Sequence, residues 1–217
     1  MRWMLVASVV VGCGVSLCKD QPISPVVIRG PAVIESRLPN GHRSSGGNLA
    51  QFAYPAEITG YGEDGEHIKT IEFVPDHMLA AFDGQLLGGD RGEWGGELVF
   101  RDKHAVIHRI LEHNVLAIIR MPFGIAVFTG LAHMGMSKGA IYVIRQEGRQ
   151  SPRASLLHEL SGAPSDIEWT VDNDLVFTVQ PDMRTKRDFF SLSPSECHLL
   201  DKKGELRTLS CALITRR

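Results

Sequence analysis

Three polar connections carry most of the side chains suited to binding or reaction. They span 88–95 (GGDRGEWG), 130–138 (GLAHMGMSK) and 180–187 (QPDMRTKR). Between them they supply carboxylates, guanidinium groups, an imidazole and an indole ring. The candidate binding residues are Asp90, Arg91, Glu93, Trp94, His133, Met134, Asp182, Arg184 and Lys186. A rigid aromatic side chain flanked by charged ones is typical of a contact with a protein or a glycan.

The first connection also has a purely structural interpretation. Its glycines would serve tight backbone turns. In that case Asp90 and Arg91 form a surface pair and Trp94 covers the core. The sequence leaves this alternative open beside the binding interpretation.

The same residues offer few signals for catalysis. Asp90 and Glu93 are the kind of carboxylate pair used in glycoside hydrolysis, and His133 is a candidate acid or base. Their spacing does not distinguish such a pair from a solvated acidic loop. The chain has no GxxxxGK phosphate loop and no DxDxDG calcium loop, and neither Ser44 nor Ser45 lies in a GxSxG nucleophile motif. We therefore predict no catalytic residue.

Three further histidines, His104, His108 and His113, raise the question of a metal site. On a strand, His104 and His108 share a face but lie about 13 Å apart, at about 3.3 Å per residue. His113 would lie on the opposite face. No second Cys or His pair has zinc spacing. We predict no metal site and no cofactor.

Short strands must position all of these residues. From residue 49 onward, nearly every segment is a short apolar or alternating run that ends in Gly, Pro, Asp or Asn. The spacing and the absence of a long 3.6-residue period predict an all-β chain. The candidate strands are 52–59, 66–74, 84–88, 96–101, 104–111, 114–120, 124–130, 139–146, 153–160, 166–171, 174–180, 188–192, 196–201 and 205–212.

The strands repeat along the chain. Ile118 precedes Val-Phe-Thr at 127–129, and forty-nine residues later Ile167 precedes Val-Phe-Thr at 176–178. Likewise 98–100 recurs at 141–143, and 106–108 recurs at 156–158. Four short strands at a period of about 40–50 residues are typical of propeller blades. The region 49–212 therefore resembles a β-propeller blade repeat, although it has no WD dipeptide and matches no particular propeller family.

The length of the repeating region limits the architecture. Its 164 residues suffice for about three to three and a half units. A six- or seven-bladed ring within one chain is excluded. A four-bladed ring that uses an N-terminal strand, an open stack of sheets and a β-sandwich all remain open. The resemblance implies that equivalent connections project from one face, which would bring 88–95, 130–138 and 180–187 together.

The first eighteen residues, MRWMLVASVVVGCGVSLC, predict export. A single Arg precedes a short apolar run and small residues, which is typical of a signal peptide and too short for a membrane anchor. Val-Gly-Cys at 11–13 is similar to a bacterial lipoprotein cleavage box, so Cys13 is a candidate for lipidation. Cleavage after Gly14, Ser16 or Cys18 to give a soluble product is the alternative. Residues 19–48 form an extended Pro/Gly/Ser-rich lead-in with an edge strand at 26–29, and 49–217 form the β-repeat domain.

Two cysteines remain in the body of the chain, Cys197 and Cys211. They flank two short strands around a turn at 201–204, so their side chains would face each other. In an oxidising compartment this arrangement predicts a disulfide.

The net charge and the predicted compartment limit the classes of function that are expected for this chain. With 23 basic and 25 acidic residues, the net charge of −2 gives no support for nucleic-acid binding. A membrane contact is expected only through a lipid on Cys13, and the sequence does not specify an oligomeric state. We expect a periplasmic or extracellular envelope protein that binds a protein partner through the three connections, as an inhibitor or immunity-type protein does. The alternatives are an envelope glycan hydrolase or lyase, and a structural or assembly protein.

Overall fold

The computed structural model describes residues 25–32, 36–37, 43–44, 49–62, 65–182 and 195–216. Apart from short 3-10 turns, the regular structure in these residues is β-strand, so the predicted all-β class is confirmed. No helix in this part of the chain is long and apolar enough to cross a membrane. The strands are β1 (Val26–Pro31), β2 (Ser36–Arg37), β3 (Arg43–Ser44), β4 (Tyr54–Gly62), β5 (Gly65–Phe73), β6 (His77–Ala81), β7 (Gly84–Gly89), β8 (Glu97–Arg101), β9 (Ile107–Leu111), β10 (Val115–Met121), β11 (Gly124–His133), β12 (Met136–Arg145), β13 (Arg153–Leu160), β14 (Gly162–Thr170), β15 (Leu175–Pro181), β16 (Glu196–Leu200), β17 (Leu206–Leu209) and β18 (Ile214–Arg216).

Twelve of these strands form three consecutive antiparallel meanders, β6–β9, β10–β13 and β14–β17. The third sheet is widened by β1 and β18, in the order β17-β16-β15-β14-β1-β18. Strands β4 and β5 form a separate two-stranded hairpin, as do β2 and β3. Four-stranded antiparallel sheets of this kind are compatible with blade-like units and with a β-sandwich.

The repeat in the sequence corresponds to this strand order. The two Val-Phe-Thr segments, 127–129 and 176–178, lie in β11 and β15, the second strands of their meanders. Segments 98–100 and 141–143 lie in β8 and β12, which are third strands. Segments 106–108 and 156–158 fall at β9 and β13, which are fourth strands. Equivalent sequence therefore occupies equivalent strands.

Alternation along β11 explains how the sheets stack. Ile125 and Val127 pack against the β6–β9 sheet, in a cluster with Leu86 and Leu98. Successive side chains of a strand point to opposite faces, so Ala126 and Phe128 pack against the β14–β17 sheet. The Phe128 ring meets Phe177 edge-on at 5.2 Å between centroids. The middle sheet is thus buried on both faces.

A third cluster joins the β4–β5 hairpin to the first meander. Tyr54, Ala56 and Phe73 of the hairpin pack on Leu87 and Val99 of β7 and β8. The order of packing is therefore the hairpin, then the three meanders in chain order.

The six-stranded sheet must curl, because β17 and β18 lie at its opposite edges but are joined by residues 210–213 alone. A flat sheet would separate these edges by about 24 Å at about 4.8 Å between strands. The connection can span only about 18 Å. Cys211 in this connection is disulfide-bonded to Cys197 in β16, with 5.3 Å between the Cα atoms, as the sequence predicts.

Some boundaries differ from the sequence-based expectation. The strand expected at the edge in 26–29 exists as β1, but it lies between β14 and β18, so its edge position is wrong. The strand expected from residue 104 begins at Ile107, because the Asp102 carboxylate accepts the backbone N–H groups of His104 and Val106 and closes a turn there. The strand expected at 188–192 lies outside the described residues.

Candidate functional site

The connections between second and third strands lie at one end of the meanders. In an up-and-down meander, alternate connections fall at opposite ends, so β7–β8, β11–β12 and β15–β16 are joined at the same end. We call this end the candidate face. It contains Asp90, Arg91, Glu93, Trp94, His133 and Asp182 of the predicted site, whereas Arg184 and Lys186 lie outside the described residues.

The β7–β8 connection is a well-defined turn. The Asp90 carboxylate accepts the Gly92 N–H at 2.7 Å, and the Asp90 N–H donates to Asp76 Oδ2 at 2.9 Å. Gly92 and Gly95 have φ values of 59° and 73°, in the left-handed region that favours glycine. A 3-10 turn over Gly92–Trp94 follows, and it leaves Trp94 59% exposed.

Arg91 points beneath this turn rather than into solvent. Its side chain is only 13% exposed. Its Nε donates to the Gly95 carbonyl, and its guanidinium lies over the Phe73 ring at 5.0 Å from the centroid. The surface pair of Asp90 and Arg91 considered from the sequence is therefore not present, because Arg91 is held inside the turn.

Glu97 is the buried carboxylate that balances Arg91. It is 2% exposed, with Arg109 Nε at 3.0 Å and Arg91 Nη1 at 3.5 Å. Tyr54 of the hairpin lies beside it, and burial, together with the negative charge of Glu97, raises the pKa of the Tyr54 hydroxyl. A buried charge is costly unless it is paired. The ion pairs of Glu97 with Arg91 and Arg109 therefore hold the inner side of the turn in place.

Asn114 is the residue of this site that the sequence did not reveal. It lies just before β10, and its side chain is bonded to the turn twice. Oδ1 accepts the Arg91 N–H at 3.2 Å, and Nδ2 donates to the Gly92 carbonyl at 2.7 Å. A Cβ on Gly96 would collide with Asn114 and with the Gly89 carbonyl oxygen, so only glycine fits there. In the sequence, the only local indication of this role was that Asn114 is a polar residue at the start of a predicted strand.

The β11–β12 connection is shorter than expected. Most of 130–138 is strand, and the hairpin turns at Met134 and Gly135 alone, with φ values of 46° and 81°. Two consecutive left-handed residues match the tight turn that suits the twist of a β-hairpin. Met134 at the tip is 86% exposed.

His133 and Glu93 join the first two connections. His133 Nε2 lies 3.0 Å from Glu93 Oε2, and the side chains are 41% and 50% exposed. Trp94 follows Glu93 in sequence, and Met134 follows His133. The contact therefore joins the two turns on which these exposed apolar side chains lie.

The third connection begins at the same end. The Asp182 N–H donates to the Ser161 carbonyl at 3.2 Å, between β13 and β14. A Cβ on Gly139 of β12 would collide with the Gly162 carbonyl oxygen, so the second and third meanders approach each other closely here.

The other histidines have structural contacts. His108 Nε2 lies 3.2 Å from Asp102 Oδ2 and its Nδ1 lies 3.4 Å from Ser151 Oγ, in the next meander. His158, its counterpart in the repeat, donates to the Gly204 carbonyl at 2.7 Å, also in the next meander. His113 stacks on Tyr142. Within the described ranges, no group of three or more His, Cys, Asp or Glu side chains is placed to hold a metal ion.

The two carboxylates considered for glycoside hydrolysis both have partners. The carboxylates of Asp90 and Glu93 are both engaged, with Gly92 and with His133. A shallow depression of about 250 Å³ lies on the β4–β5 hairpin and contains none of the candidate residues. Its lining is Ala53, Tyr54, Pro55, Thr70, Ile71 and Glu72.

Comparison with models of known protein families, with curated proteins and with solved structures finds no match. The class of the protein therefore rests on its own structure. It is an all-β protein built from stacked four-stranded antiparallel meanders, with a preformed pair of turns at one end.

Proposed function

We propose that this is an exported envelope protein that acts by binding a protein partner through the candidate face, in the manner of an inhibitor or immunity-type protein. The observation that carries the proposal is the contact of 3.0 Å between Glu93 and His133. It joins the two tight turns that carry the exposed side chains of Trp94 and Met134.

The composition of this face supports protein recognition. Interface hot spots are enriched in aromatic side chains near the centre of a patch. Methionine adapts its shape to a partner. Trp94 and Met134 are 59% and 86% exposed, which is unusual for side chains of this size.

Preorganisation of the first turn supports the same function. Arg91, Asn114 and Glu97 hold the turn from beneath through hydrogen bonds and ion pairs. A turn held in one conformation loses little conformational entropy when a partner binds. In this proposal Arg91 is a positioning residue, and Trp94 makes the contact. The meanders serve as blades of a small propeller-like scaffold.

The compartment belongs to the same proposal. The Cys197–Cys211 disulfide supports export, since such bonds persist in oxidising compartments. Residues 1–24, including Cys13, lie outside the described residues. If Cys13 carries a lipid, Cys13→Ser moves the protein from the membrane fraction to the soluble fraction of the envelope.

The proposal is tested by affinity capture from envelope extract with the full chain. The site variant is Trp94→Ala/Met134→Asn, in which Asn suits the left-handed conformation of residue 134. The matched control is Val106→Ala/Leu156→Ala, since Val106 and Leu156 are 50% and 51% exposed away from the candidate face. We expect a specific partner to be captured by the parent and the control, and its recovery to fall about tenfold or more with the site variant.

Thermal unfolding of each variant provides the folding check. All four positions are exposed, so each substitution should change stability by no more than about 0.5 kcal/mol. Equal recovery of every captured protein by parent, control and site variant would show that the candidate face is not the binding surface.

A further inference from the structure

The β4–β5 hairpin has free strand edges. It is a two-stranded sheet, whereas each of the three meanders lies in a sheet of four or six strands. The first meander covers its inner face through the cluster of Tyr54, Ala56 and Phe73. Within the part of the chain that the structure describes, β4 and β5 pair only with each other. Each of the two strands therefore has an outer edge to which another strand can add.

The pairing of the hairpin shows which backbone groups face outward. Alternate residue pairs of an antiparallel ladder are hydrogen-bonded, and residues of the other pairs direct their N–H and C=O groups away from the partner strand. Pro55 has no N–H and is paired with Glu72, so this pair is of the second kind. The tight connection between the paired Gly62 and Gly65 gives the same phase when the pairs are counted back from it.

Strand β5 has the edge that is open to pairing. In steps of two from Glu72, the residues that direct their backbone groups outward are Ile68, Thr70 and Glu72. All three are exposed, Ile68 by 71%. The edge of β4 is interrupted at Pro55, and proline at an edge prevents the addition of a strand. Strand β5 contains neither proline nor a bulge.

The outer face of the hairpin has complementary features at two positions along β5. Ile68, Thr70 and Glu72 share this face because successive side chains of a strand alternate. Thr70 and Glu72, together with Pro55, line the shallow depression of about 250 Å³. Ile68 lies outside that lining and is an exposed apolar side chain. A projection and a depression on one strand complement each other when two copies meet about a twofold axis.

We propose that two copies of this chain associate edge to edge through β5, antiparallel about a twofold axis at Thr70. The product is a four-stranded sheet in the order β4-β5-β5-β4, which has as many strands as a meander. Thr70 is opposite Thr70 of the second copy, and Ile68 is opposite Glu72 of the second copy. These three facing pairs supply about six backbone hydrogen bonds, two at each pair. Ile68 of each copy falls beside the depression of the other copy.

Charge and strand length select this register. Opposite residues lie on the same face of a sheet, so the axis must pass through a residue position. An axis at Lys69 would place two ammonium groups directly opposite each other, which is destabilising. An axis at Ile71 would place Ile68 opposite Val74, beyond the end of β5. With the axis at Thr70, Lys69 is opposite Ile71 and no like charges meet.

Sedimentation equilibrium of the full chain tests the association. The background is Cys13→Ser/Cys18→Ser, which prevents disulfides between chains through these two cysteines. An edge contact of this length is smaller than a standard interface and gives a weak dimer. We therefore expect the average mass to rise from one chain towards two between about 5 and about 500 µM. A mass of one chain throughout this range would overturn the proposal.

Two proline variants identify the edge. Thr70 and Glu57 are opposite each other in the hairpin, and both direct their N–H groups outward, so neither substitution removes a hydrogen bond of the hairpin. Thr70→Pro blocks the edge of β5, and we expect it to weaken association at least about tenfold. Glu57→Pro blocks the edge of β4 and should leave association within about twofold of the parent. Equal effects of the two variants would overturn the proposal.

Cysteine cross-linking tests the register without proline. The Cα atoms of a hydrogen-bonded pair are about 5.5 Å apart, which suits a disulfide. In the same background, Thr70→Cys should form a covalent dimer under mild oxidation at least about tenfold faster than Glu57→Cys. Equal rates would contradict an axis at Thr70.

Hydrogen exchange separates a second copy from other occupants of the edge. The N–H groups of Ile68, Thr70 and Glu72 should be more protected at about 500 µM than at about 5 µM. Equal protection at both concentrations would mean that a segment of the same chain covers the edge, and it would overturn the proposal. The association goes beyond the proposed function, so Trp94→Ala/Met134→Asn should dimerise like the parent. A dimer lost in that variant would place the interface at the candidate face instead.

Discussion

Asp102 and Asp201 make the same set of hydrogen bonds at equivalent places in the first and third meanders. In each, Oδ1 accepts the backbone N–H groups two and four residues later, at 2.8 and 2.9 Å. In each, Oδ2 lies near the side chain six residues later, His108 at 3.2 Å and Arg207 at 3.0 Å. The residue at the third position has positive φ in both turns, Ala105 at 64° and Gly204 at 87°.

The shared turn closes the connection between third and fourth strands. Asp-Lys occurs at 102–103 and again at 201–202, ninety-nine residues apart, which is close to two periods of the repeat. The middle meander lacks this Asp, and there Gln146 Nε2 donates to the Gln150 carbonyl instead. The turn is therefore a structural element of the repeat, and its contact with His108 gives that histidine a structural role.

Removal of the Asp201 carboxylate should destabilise the third meander. Asp201→Ala loses three hydrogen bonds, and we expect the free energy of unfolding to fall by about 2 kcal/mol. Asp201→Asn keeps an acceptor oxygen and should lose less than half of that. Urea unfolding of both variants measures the difference. Asp172→Asn, at an exposed turn position, is the control, and an equal loss in all three variants would contradict a specific role for Asp201.

Neutralisation of Glu97 should destabilise the β7–β8 turn and lower the free energy of unfolding. Glu97→Gln leaves the buried Arg91 guanidinium without a full counter-charge, and we expect a loss of about 3 kcal/mol. Glu112→Gln removes an exposed partner of Arg109 and should cost less than about 0.5 kcal/mol. Chemical unfolding measures both.

The same cluster predicts a pairwise coupling. Arg91→Met combined with Glu97→Gln should cost less than the sum of the two single changes, because each single change leaves an unpaired buried charge. Additive losses would show that Arg91 and Glu97 do not stabilise each other.

Stability should decrease in mild acid because of His77 in β6. Burial lowers the pKa of this imidazole to about 4, against an opposing hydrogen bond with the Val115 backbone. The ordinary value in an unfolded chain is about 6.5. The unfolded state therefore binds a proton between about pH 6.5 and pH 4 that the folded state does not, so the free energy of unfolding falls as pH is lowered through this range.

The measurement is urea unfolding at pH 7, 5.5 and 4.5 for the parent and His77→Gln. The variant should show a smaller fall in stability over the same range. Parallel pH profiles for the two proteins would exclude His77 as a source of the acid sensitivity.

The Cys197–Cys211 bond should contribute to stability through the connection that closes the curled sheet. It links residues separated by 14 positions. A loop of this size predicts a loss of about 3 kcal/mol when the bond is removed. Cys197→Ala/Cys211→Ser should lower the midpoint of thermal unfolding, and a reductant should do the same to the parent but not to the variant. In the variant without the bond, hydrogen exchange should accelerate more at the paired strands β1 and β18 than at β15. Uniform exchange across the sheet would contradict a local role for the bond.

Much of the fold follows from local sequence. Short runs such as Val115–Met121 alternate apolar side chains with the period of a strand, and glycine or aspartate ends them. Because strand formation and turn chemistry depend on neighbouring residues, the all-β class and the repeat of 127–129 at 176–178 could be predicted. The cysteine pair could be predicted for the same reason, since both residues flank one hairpin.

The tertiary structure alone decided which side chains meet. Arg91 was a plausible surface residue in sequence, but Phe73, Gly95 and Glu97 hold it inside the fold. Strand β1 lies far from β14 and β18 along the chain, and its place between them depends on the curl of the sheet. Asn114 contacts residues 22 and 23 positions away, across two meanders. Such contacts depend on how sheets pack, which local hydrophobic period does not specify. The sequence by itself determined most strands and turns and the repeat, although it did not predict β6 (His77–Ala81). Packing decided which polar groups were buried and which two turns meet at the candidate face.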